Sequence, residues 1–385
     1  MKGRRLFVLL VAVMAITGLV IAGCAPEEAA PPAEEEEEAA PEEEEEEEAP
    51  SAPSDETFEL RMQTPFPTGF IMYIAGANWA ETLGEMSGGR IDATMNAGGA
   101  VVDALKEMRA VHEGVLDATY TGSHYHTSEI GFAGDLFNLY PAGTDPWEFI
   151  VWYFDGGGAA YHQEMYDRKG LNVKAFMGGM TSAEQFGWFA EPVTGMDSFE
   201  GMKFRTAGIW GEMLNEAGAS VVTMPGGEVY EAMQRGVIDA FEFSTPGVDW
   251  SAGFQELGAY AHGPGIHAPQ AAFEVLINKD VWNDMPADLQ AIFEHSCEAS
   301  LVRSWSLVDG ADVVAIGAMQ DYGTEFVSLP EDVQKSITQI AHEKYAELAE
   351  EDEFFAEVYD SQLEFCKLFR DYKRFAQPDP DLMTP

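Results

Sequence analysis

The segment from Gly201 to Trp250 constrains the fold of this chain more than any other part of the sequence. It starts with a short apolar strand that ends at Arg205, and it closes with Asp239-Ala240-Phe241-Glu242-Phe243. Helical patterns between them predict strands joined by helices, which is typical of parallel pairing. Because parallel strands present their C-terminal ends at one edge, we expect Arg205 and Glu242 to face one crevice. A small organic anion is the ligand that we expect there.

The same order of elements occurs earlier in the chain. Strands are predicted at 58–63, 91–95 and 116–120, and helices at 70–86 and Val102 to His112. Two such units predict an α/β protein with two lobes and a ligand cleft between them.

Charge narrows the classes of ligand. The 385 residues carry a formal net charge of −46, so a nucleic acid would be repelled along its phosphate backbone. A small anion can still bind where one buried arginine dominates the local field.

The N-terminus predicts export. A basic start and an apolar run precede Ile21-Ala22-Gly23-Cys24, which matches the lipobox of bacterial lipoproteins. We therefore expect residues 1–23 to be a signal peptide and Cys24 to be lipidated, with the alternatives of an uncleaved anchor or a simple secretion signal. Residues 24–57, rich in Glu, Ala and Pro, are predicted to form a disordered acidic tether outside the cytoplasmic membrane.

Other reactive side chains give weaker signals. Ser123, His124 and Tyr125 follow a predicted strand end, where they are either cleft-lining or part of a surface loop. A zinc site lacks a suitably spaced partner, and no G-x-S-x-G or H-E-x-x-H motif is present. Cys297 and Cys366 lie in helical patterns, which favours burial as small hydrophobes over a disulfide.

Several motifs together resemble the solute receptors of TRAP (tripartite ATP-independent periplasmic) transporters. They are GLNVKAF, EQFGWF, GMKFRTAG, MPGGEVYEAMQRGVIDAFEF and HAPQAAFEVLINKDVW, in that order, and the similarity covers roughly residues 58–370. The branch that binds 2-oxo acids or lactate with a metal cation is the most similar, since it carries an acid at the position of Glu242. The resemblance implies a periplasmic-binding-protein-like fold with a long helix that spans both lobes.

The resemblance also implies roles for individual residues. Arg205 would clamp the ligand carboxylate through two parallel N–H donors; the alternative is a structural ion pair. Gln185, Glu242 and the main-chain carbonyl of Phe243 would hold Na⁺ or Ca²⁺, which prefer oxygen ligands. Gln185 could instead make an ordinary cleft hydrogen bond. Phe243 stands where relatives commonly carry tryptophan, which leaves the ligand's identity open.

A second loop adds candidates. Gly265-Ile266-His267-Ala268-Pro269-Gln270 matches a family segment that lines the pocket, so His267 or Gln270 could contact the ligand or complete the metal shell. Trp188, Phe243 and Trp250 are expected to be walls.

The expected domain limits follow from these patterns. Lobe 1 should comprise residues 58–180 with part of 271–325, and lobe 2 residues 181–270 with part of the C-terminal helices. Helices are predicted from Asp280 or Pro286 to Val302, from 304 to 322 and from 330 to 375. The last of these belongs to a C-terminal segment, 326–385, whose apolar faces leave packing on the same chain or in a homodimer open.

The functional hypothesis is a lipid-anchored periplasmic receptor. It would bind a small monocarboxylate such as pyruvate or lactate with a cation, deliver it to a separate TRAP permease and leave it chemically unchanged. The alternatives are a metal-assisted hydrolase or decarboxylase with Glu242 as base, and the substrate receptor of an ABC importer.

Overall fold

A computed structural model describes residues 56–257 and 260–378 of the chain. The predicted signal peptide, Cys24 and almost all of the tether lie outside these ranges. Within the described ranges, no helix is long and apolar enough to cross a membrane.

The strands form two sheets. In chain order they are β1 (Phe58–Gln63), β2 (Ile91–Asn96), β3 (Ala118–Thr121), β4 (Val173–Thr181), β5 (Gly187–Phe189), β6 (Lys203–Arg205), β7 (Ser220–Val222), β8 (Ala240–Phe241), β9 (Tyr260–Gly263), β10 (Ala271–Asn278) and β11 (Phe326–Ser328).

Helices surround the sheets. They are α1 (Ile71–Met86), α2 (Glu107–His112), α3 (Thr127–Ile130), α4 (Pro146–Asp155), α5 (Gly158–Arg168), α6 (Gly208–Glu216), α7 (Gly226–Gln234), α8 (Pro246–Ser251), α9 (Lys279–Asp284), α10 (Ala287–Tyr322), α11 (Glu331–Glu351) and α12 (Glu353–Ala376). Short 3₁₀ turns occupy Ser123–His126, Phe132–Phe137, Met196–Phe199 and Phe254–Leu257.

The first sheet has the strand order β2-β1-β3-β10-β4 and builds lobe 1. β1 pairs in parallel with β2 and β3, whereas β10 runs antiparallel to β3 and β4. Every residue of β10 is buried, as expected for a central strand covered on both faces.

The second sheet has the order β11-β9-β5-β8-β6-β7 and builds lobe 2. β6 is parallel to both β7 and β8, and Arg205 lies beside Phe241 in the register. The predicted strand–helix alternation of residues 201–243 is therefore present. It places the residue after Phe241, which is Glu242, next to the end of β6.

Two extended segments connect the lobes beside the site. Residues 182–186 lead from β4 to β5, and residues 264–270 lead from β9 back to β10. They contact each other through the Glu184 main-chain N–H, which donates to the Ala268 carbonyl at 3.0 Å. We call them the crossing segments.

Helix α10 spans both lobes, which confirms the predicted spanning helix. It packs on β4 and α1 of lobe 1 and on α8 of lobe 2. Its 36 residues run without interruption, so the predicted boundary near residue 303 was wrong. No proline interrupts that region of the sequence, and the buried side chains continue through Leu301, Ser304 and Val308.

The helix predicted from Val102 to His112 is shorter than expected. The side chain of buried Gln63 accepts hydrogen bonds from the main chain of Val101 and Val102 at 2.7 and 3.1 Å. Leu105 has a φ of +70°, which no helix accommodates. Hydrogen bonding to a buried side chain therefore replaces the first turns of the helix.

The C-terminal pattern from 330 to 375 is two helices, α11 and α12, because Asp352 interrupts it. The Asp352 side chain accepts from the N–H groups of Phe354 and Phe355 and so caps α12. α11 packs against α6 of lobe 2, and α12 packs against α4 and α5 of lobe 1. Cys297 and Cys366 are both buried and free.

Candidate binding site between the lobes

Arg205 lies at the centre of a small cavity lined by both lobes. Its guanidinium is 2% exposed. Nη1 donates to the main-chain oxygen of Glu242 at 3.0 Å and to its Oε1 at 3.3 Å. Nε and Nη2 both donate to the Met224 carbonyl, at 3.2 and 3.1 Å. Strand ends from β6 and β8 thus bring the predicted cation and acid into contact.

A second acid and an imidazole join this pair. Single ligand atoms of Glu184, Glu242 and His267 all lie within 4.8 Å of one another, and all three residues are buried. His267 Nε2 is 3.4 Å from Glu184 Oε2 and 4.0 Å from Glu242 Oε2. Glu184 and His267 belong to the two crossing segments, so the cluster joins these connections to the end of β8.

Glycine allows the crossing segments to approach each other here. A Cβ at Gly265 would lie 2.0 Å from the Glu184 carbonyl oxygen, a distance that no side chain tolerates. Gly265 therefore fixes the spacing that places His267 beside Glu184.

The cavity is nearly closed. His124 and Tyr125 line it from lobe 1, and Arg205, Glu242 and Phe243 from lobe 2. Its free volume is about 10 Å³, which is room for about one water molecule. A ligand larger than water can enter only if the lobes or their side chains move apart.

Burial shifts the protonation of the site. It raises the pKa of Glu184 well above its ordinary value, with Glu242 adding to the rise and Arg205 opposing it. Burial lowers the pKa of His267 to about 4, against the smaller opposing effect of Glu242. His267 is therefore neutral at pH 7, with a ring lone pair available as a ligand.

The residues present fit a metal cation. Glu184 Oε2 and both ring nitrogens of His267 are buried without a hydrogen-bonding partner, which is costly unless another group satisfies them. Two carboxylates and a neutral imidazole are donors that a divalent or monovalent metal ion accepts. A cation at this cluster would satisfy Glu184 Oε2 and His267 Nε2 and balance the adjoining acids.

Gln185, the predicted metal and ligand contact, faces another way. Its Nε2 donates to Asp249 Oδ2 at 2.8 Å, and the same oxygen accepts from Trp188 Nε1 at 2.7 Å. Burial raises the pKa of Asp249 well above its ordinary value. Of the adjacent pair, it is Glu184 and not Gln185 that lines the cavity.

Two other predicted residues bond to nearby main chain. Gln270 Nε2 donates to the Asn138 carbonyl at 2.9 Å, although its Oε1 is buried without a partner. Ser123 Oγ donates to the Gly134 carbonyl at 2.6 Å. Neither residue lines the cavity.

His124 and Phe243 do line the cavity. Burial, together with the charge of Arg205, lowers the pKa of His124 to about 3, and its Nδ1 has no hydrogen-bonding partner. The Arg205 guanidinium carbon lies 5.5 Å from the centre of the Phe243 ring, within cation–π range. Trp188 and Trp250, the other expected walls, do not line the cavity.

Sequence reasoning missed Glu184 as a member of the site. Glu184 is one of two adjacent polar residues before an aromatic run, and the rotation of the extended segment decides which of the two side chains faces the cavity. Tyr125, a candidate from the sequence together with Ser123 and His124, does line the cavity.

Comparison with known proteins identifies the family. A model described as bacterial extracellular solute-binding protein, family 7 (DctP), matches residues 63–352. The chain is 29% identical over 310 residues to a monocarboxylate 2-oxoacid-binding periplasmic protein of Nostoc sp., covering 80% of this chain and 84% of that protein.

Solved structures agree with this match. A TRAP periplasmic solute binding protein of Colwellia psychrerythraea with bound calcium and pyruvate has a TM-score of 0.79 and 27% identity, over 83% of this chain and 98% of the other. Its counterpart of Pseudoalteromonas atlantica with bound sodium and pyruvate has a TM-score of 0.79 and 26% identity, over 83% and 97%. The resemblance to TRAP receptors and the two-lobed fold are thus confirmed, and the chain belongs to the bacterial extracellular solute-binding proteins of family 7.

Proposed function

We propose that this chain is the extracytoplasmic solute receptor of a TRAP transporter and that it binds a small monocarboxylate of the 2-oxo acid or lactate type together with a metal cation. The observation that carries the proposal is the buried contact of Arg205 with Glu242, whose carboxylate also forms a buried cluster with Glu184 and His267. Relatives that bind 2-oxo acids, and pyruvate with calcium or sodium, support it.

Arg205 would hold the ligand carboxylate. Its guanidinium is fixed at Met224 and shares Nη1 with Glu242, so it is held in place before the ligand arrives. A cation at Glu242, Glu184 and His267 would supply positive charge for the ligand's second oxygen.

The remaining predicted residues receive roles according to where they lie. We assign ligand contact to His124 and Phe243, which line the cavity with Arg205. The Phe243 carbonyl remains a proposed metal ligand. Ser123, Gln185 and Gln270 are proposed to hold the walls, since their side chains bond to Gly134, Asp249 and Asn138.

We further propose that the chain does not transform its ligand. Family and fold are those of transport receptors, which favours a TRAP receptor over the hydrolase, decarboxylase and ABC-importer alternatives. A bound cation or a hydrogen bond would compensate each buried carboxylate of the site, so catalysis is not needed to explain why these acids are buried there.

A panel titration tests the proposal. Pyruvate, lactate, acetate and succinate are titrated calorimetrically into the full chain with calcium and sodium both present, and the mixtures are followed by NMR. We expect pyruvate or lactate to bind tighter than acetate and succinate, without chemical change. Absence of carboxylate binding, or turnover of the ligand, would refute the proposal.

Proteins of this family act outside the cytoplasmic membrane, and we propose that this one is anchored there by lipid on Cys24. The support is the lipobox and the acidic residues that follow it. The partner would be a separate TRAP permease that accepts the ligand.

We also propose that α12 mediates a homodimer. Leu368, Tyr372 and Phe375 form one stripe along the helix and are 66%, 60% and 92% exposed. Replacing Leu368 and Phe375 with glutamate should lower the molar mass measured by light scattering from dimer to monomer, whereas Val302→Glu on α10 should not. A wild-type chain that is monomeric at all concentrations would refute this proposal.

A further inference from the structure

Glu184 changes the chemistry of the proposed cation site. The residue is 5% exposed, and its Oε2 has no hydrogen-bonding partner among the described residues. Its main chain is fixed on both sides, because its N–H donates to Ala268 and the Gln185 N–H donates to Ser244, each at 3.0 Å. These bonds fix the direction in which the side chain leaves the main chain, and in the structure it lines the cavity.

Gln185, the neutral residue next to Glu184, cannot take the place of Glu184 in the cavity. Successive side chains of an extended segment point to opposite sides, and the Gln185 side chain is bound to Asp249. The crossing segment thus offers the cavity a carboxyl group, which can ionise on binding a cation, rather than an amide oxygen.

Charge balance then selects the cation. A bound cation would displace the proton that burial favours on Glu184. Glu184, Glu242 and the carboxylate of a bound ligand then bring three negative charges into one buried site, and Arg205 supplies one positive charge. A divalent ion would close the balance, whereas a monovalent ion would leave one buried negative charge uncompensated, which is costly in a site of low dielectric. Each carboxylate also attracts a doubly charged ion twice as strongly at a given distance.

The imidazole is consistent with the same class of ion. His267 is fully buried, and both of its ring nitrogens lack a hydrogen-bonding partner. Its Nε2 lies within 4.0 Å of an oxygen of each acid. The two carboxylates suit hard divalent ions such as Ca²⁺ and Mn²⁺, and an imidazole ligand favours a divalent transition ion over Na⁺.

We propose that this site binds a divalent cation in preference to sodium, and that Glu184 is the residue that sets this preference. The inference rests on the proposed function for the location of the cation, and it adds the charge class of the ion. Its test compares ions with pyruvate present, because the charge count includes the ligand carboxylate, and a titration of each ion alone measures the cation site by itself.

The test is a calorimetric titration of the chelator-treated full chain with CaCl₂, MnCl₂ and NaCl at constant ionic strength, first with excess pyruvate, which supplies the third negative charge, and then with each ion alone. We expect CaCl₂ or MnCl₂ to bind at least about 100-fold tighter than NaCl, as the charge count predicts. Glu184→Gln should weaken divalent binding by about 100-fold while changing sodium binding less, so that the ratio falls. Glu184→Asp, which keeps the charge, should retain the preference with reduced affinity.

A matched control distinguishes an effect of the cation site from an effect of the protein's overall negative charge. Glu228→Gln removes one exposed acid from lobe 2 and should leave both affinities unchanged. Equal binding of sodium and calcium by the wild type, or an unchanged ratio in folded Glu184→Gln, would overturn the inference. If the glutamine variant fails to fold, as judged by circular dichroism, the wild-type ratio and Glu184→Asp decide it instead: a retained preference in Glu184→Asp supports the inference, and its loss overturns it.

The same titrations distinguish this inference from the proposed function. Carboxylate binding that is equally strong with sodium and with calcium would overturn the divalent preference and leave the receptor intact. Divalent binding without any carboxylate binding would support the cation site and refute the receptor.

Discussion

At the scale of single residues, Arg205 decides which ligands the cavity accepts. Among the described residues that line it, Arg205 is the one permanent cation, and Glu242 already shares its Nη1. A ligand carboxylate must therefore compete with Glu242 or arrive with a cation that balances it. The affinity for the ligand carboxylate and the affinity for the metal cation therefore depend on each other, because both involve the interaction of Arg205 with Glu242.

Replacing Arg205 with alanine should weaken carboxylate binding by at least about 100-fold, since removing one partner of a buried charge pair costs roughly 3–5 kcal/mol. Arg205→Lys should also bind poorly, because lysine lacks the two parallel donors. Calorimetry measures both. Arg235→Ala, on the exposed face of α7's C-terminal turn, is the control that should bind normally, and full affinity in Arg205→Ala would contradict the clamp.

The sequence predicted Arg205 and Glu242 because strand order alone brings them together. Parallel strands end at one edge, and residues that end or follow neighbouring strands must lie close together there. Glu184 was not predictable in this way. Its position depends on the rotation of a short extended segment, which is set by contacts with Ala268 and Ser244 that are distant in sequence.

At the scale of secondary structure elements, a carboxyl group of lobe 1 accepts a hydrogen bond from the first turn of a helix in lobe 2. Asp135, in the turn Phe132–Phe137, accepts a hydrogen bond from the Ile209 N–H at the start of α6 at 2.9 Å. Gly208 precedes it with a φ of +67°, and a Cβ there would lie 2.0 Å from Asp135 Oδ1. The two lobes are thus tied together beside the cavity by a buried contact.

This contact predicts a pH dependence of stability. Burial raises the pKa of Asp135 from 3.8 to about 8, so the folded chain keeps a proton that the unfolded chain releases near pH 4. The free energy of unfolding contributed by this group therefore falls as pH rises from about 4 to about 8. Asp135→Asn should gain stability relative to the wild type over this range, as measured by urea unfolding at pH 5 and pH 8. Parallel stability curves of the two proteins would contradict this assignment.

Sequence patterns predicted most elements but not all of their limits. Helix α2 starts later than predicted because main-chain groups before it donate hydrogen bonds to Gln63. The predicted C-terminal helix is divided into α11 and α12 at Asp352. Helix α4, capped by Asp145 with Glu148, was not predicted. These boundaries depend on side-chain hydrogen bonds, which apolar periodicity does not report. The predicted limits of the lobes and of the tether stay predictions.

At the scale of the whole molecule, a ligand can enter the cavity only if parts of the protein move. Side chains of both lobes enclose a free volume of about 10 Å³, too small for a three-carbon acid. Receptors of this kind close by hinge motion around their ligands, and the crossing segments are the connections beside the site that would bend.

Closure should be visible as protection from hydrogen exchange. With pyruvate and calcium added to the full chain, we expect slower exchange in residues 122–126, which include the cavity-lining His124 and Tyr125, and in the crossing segment 264–270, which carries His267 of the cation cluster. No change is expected in α12. Mass spectrometry of proteolytic peptides measures this. Equal protection throughout the chain, or none in the crossing segments, would argue against closure at this site.

Joint recognition of a carboxylate and a cation is most directly tested by calorimetric titration of pyruvate into chelator-treated chain, with and without CaCl₂. Because binding is reciprocal, each partner must tighten the other by the same factor. We predict measurable pyruvate binding with calcium, and binding weaker by at least about tenfold without it, a coupling of about 1.4 kcal/mol. Equal affinity under both conditions would contradict the account.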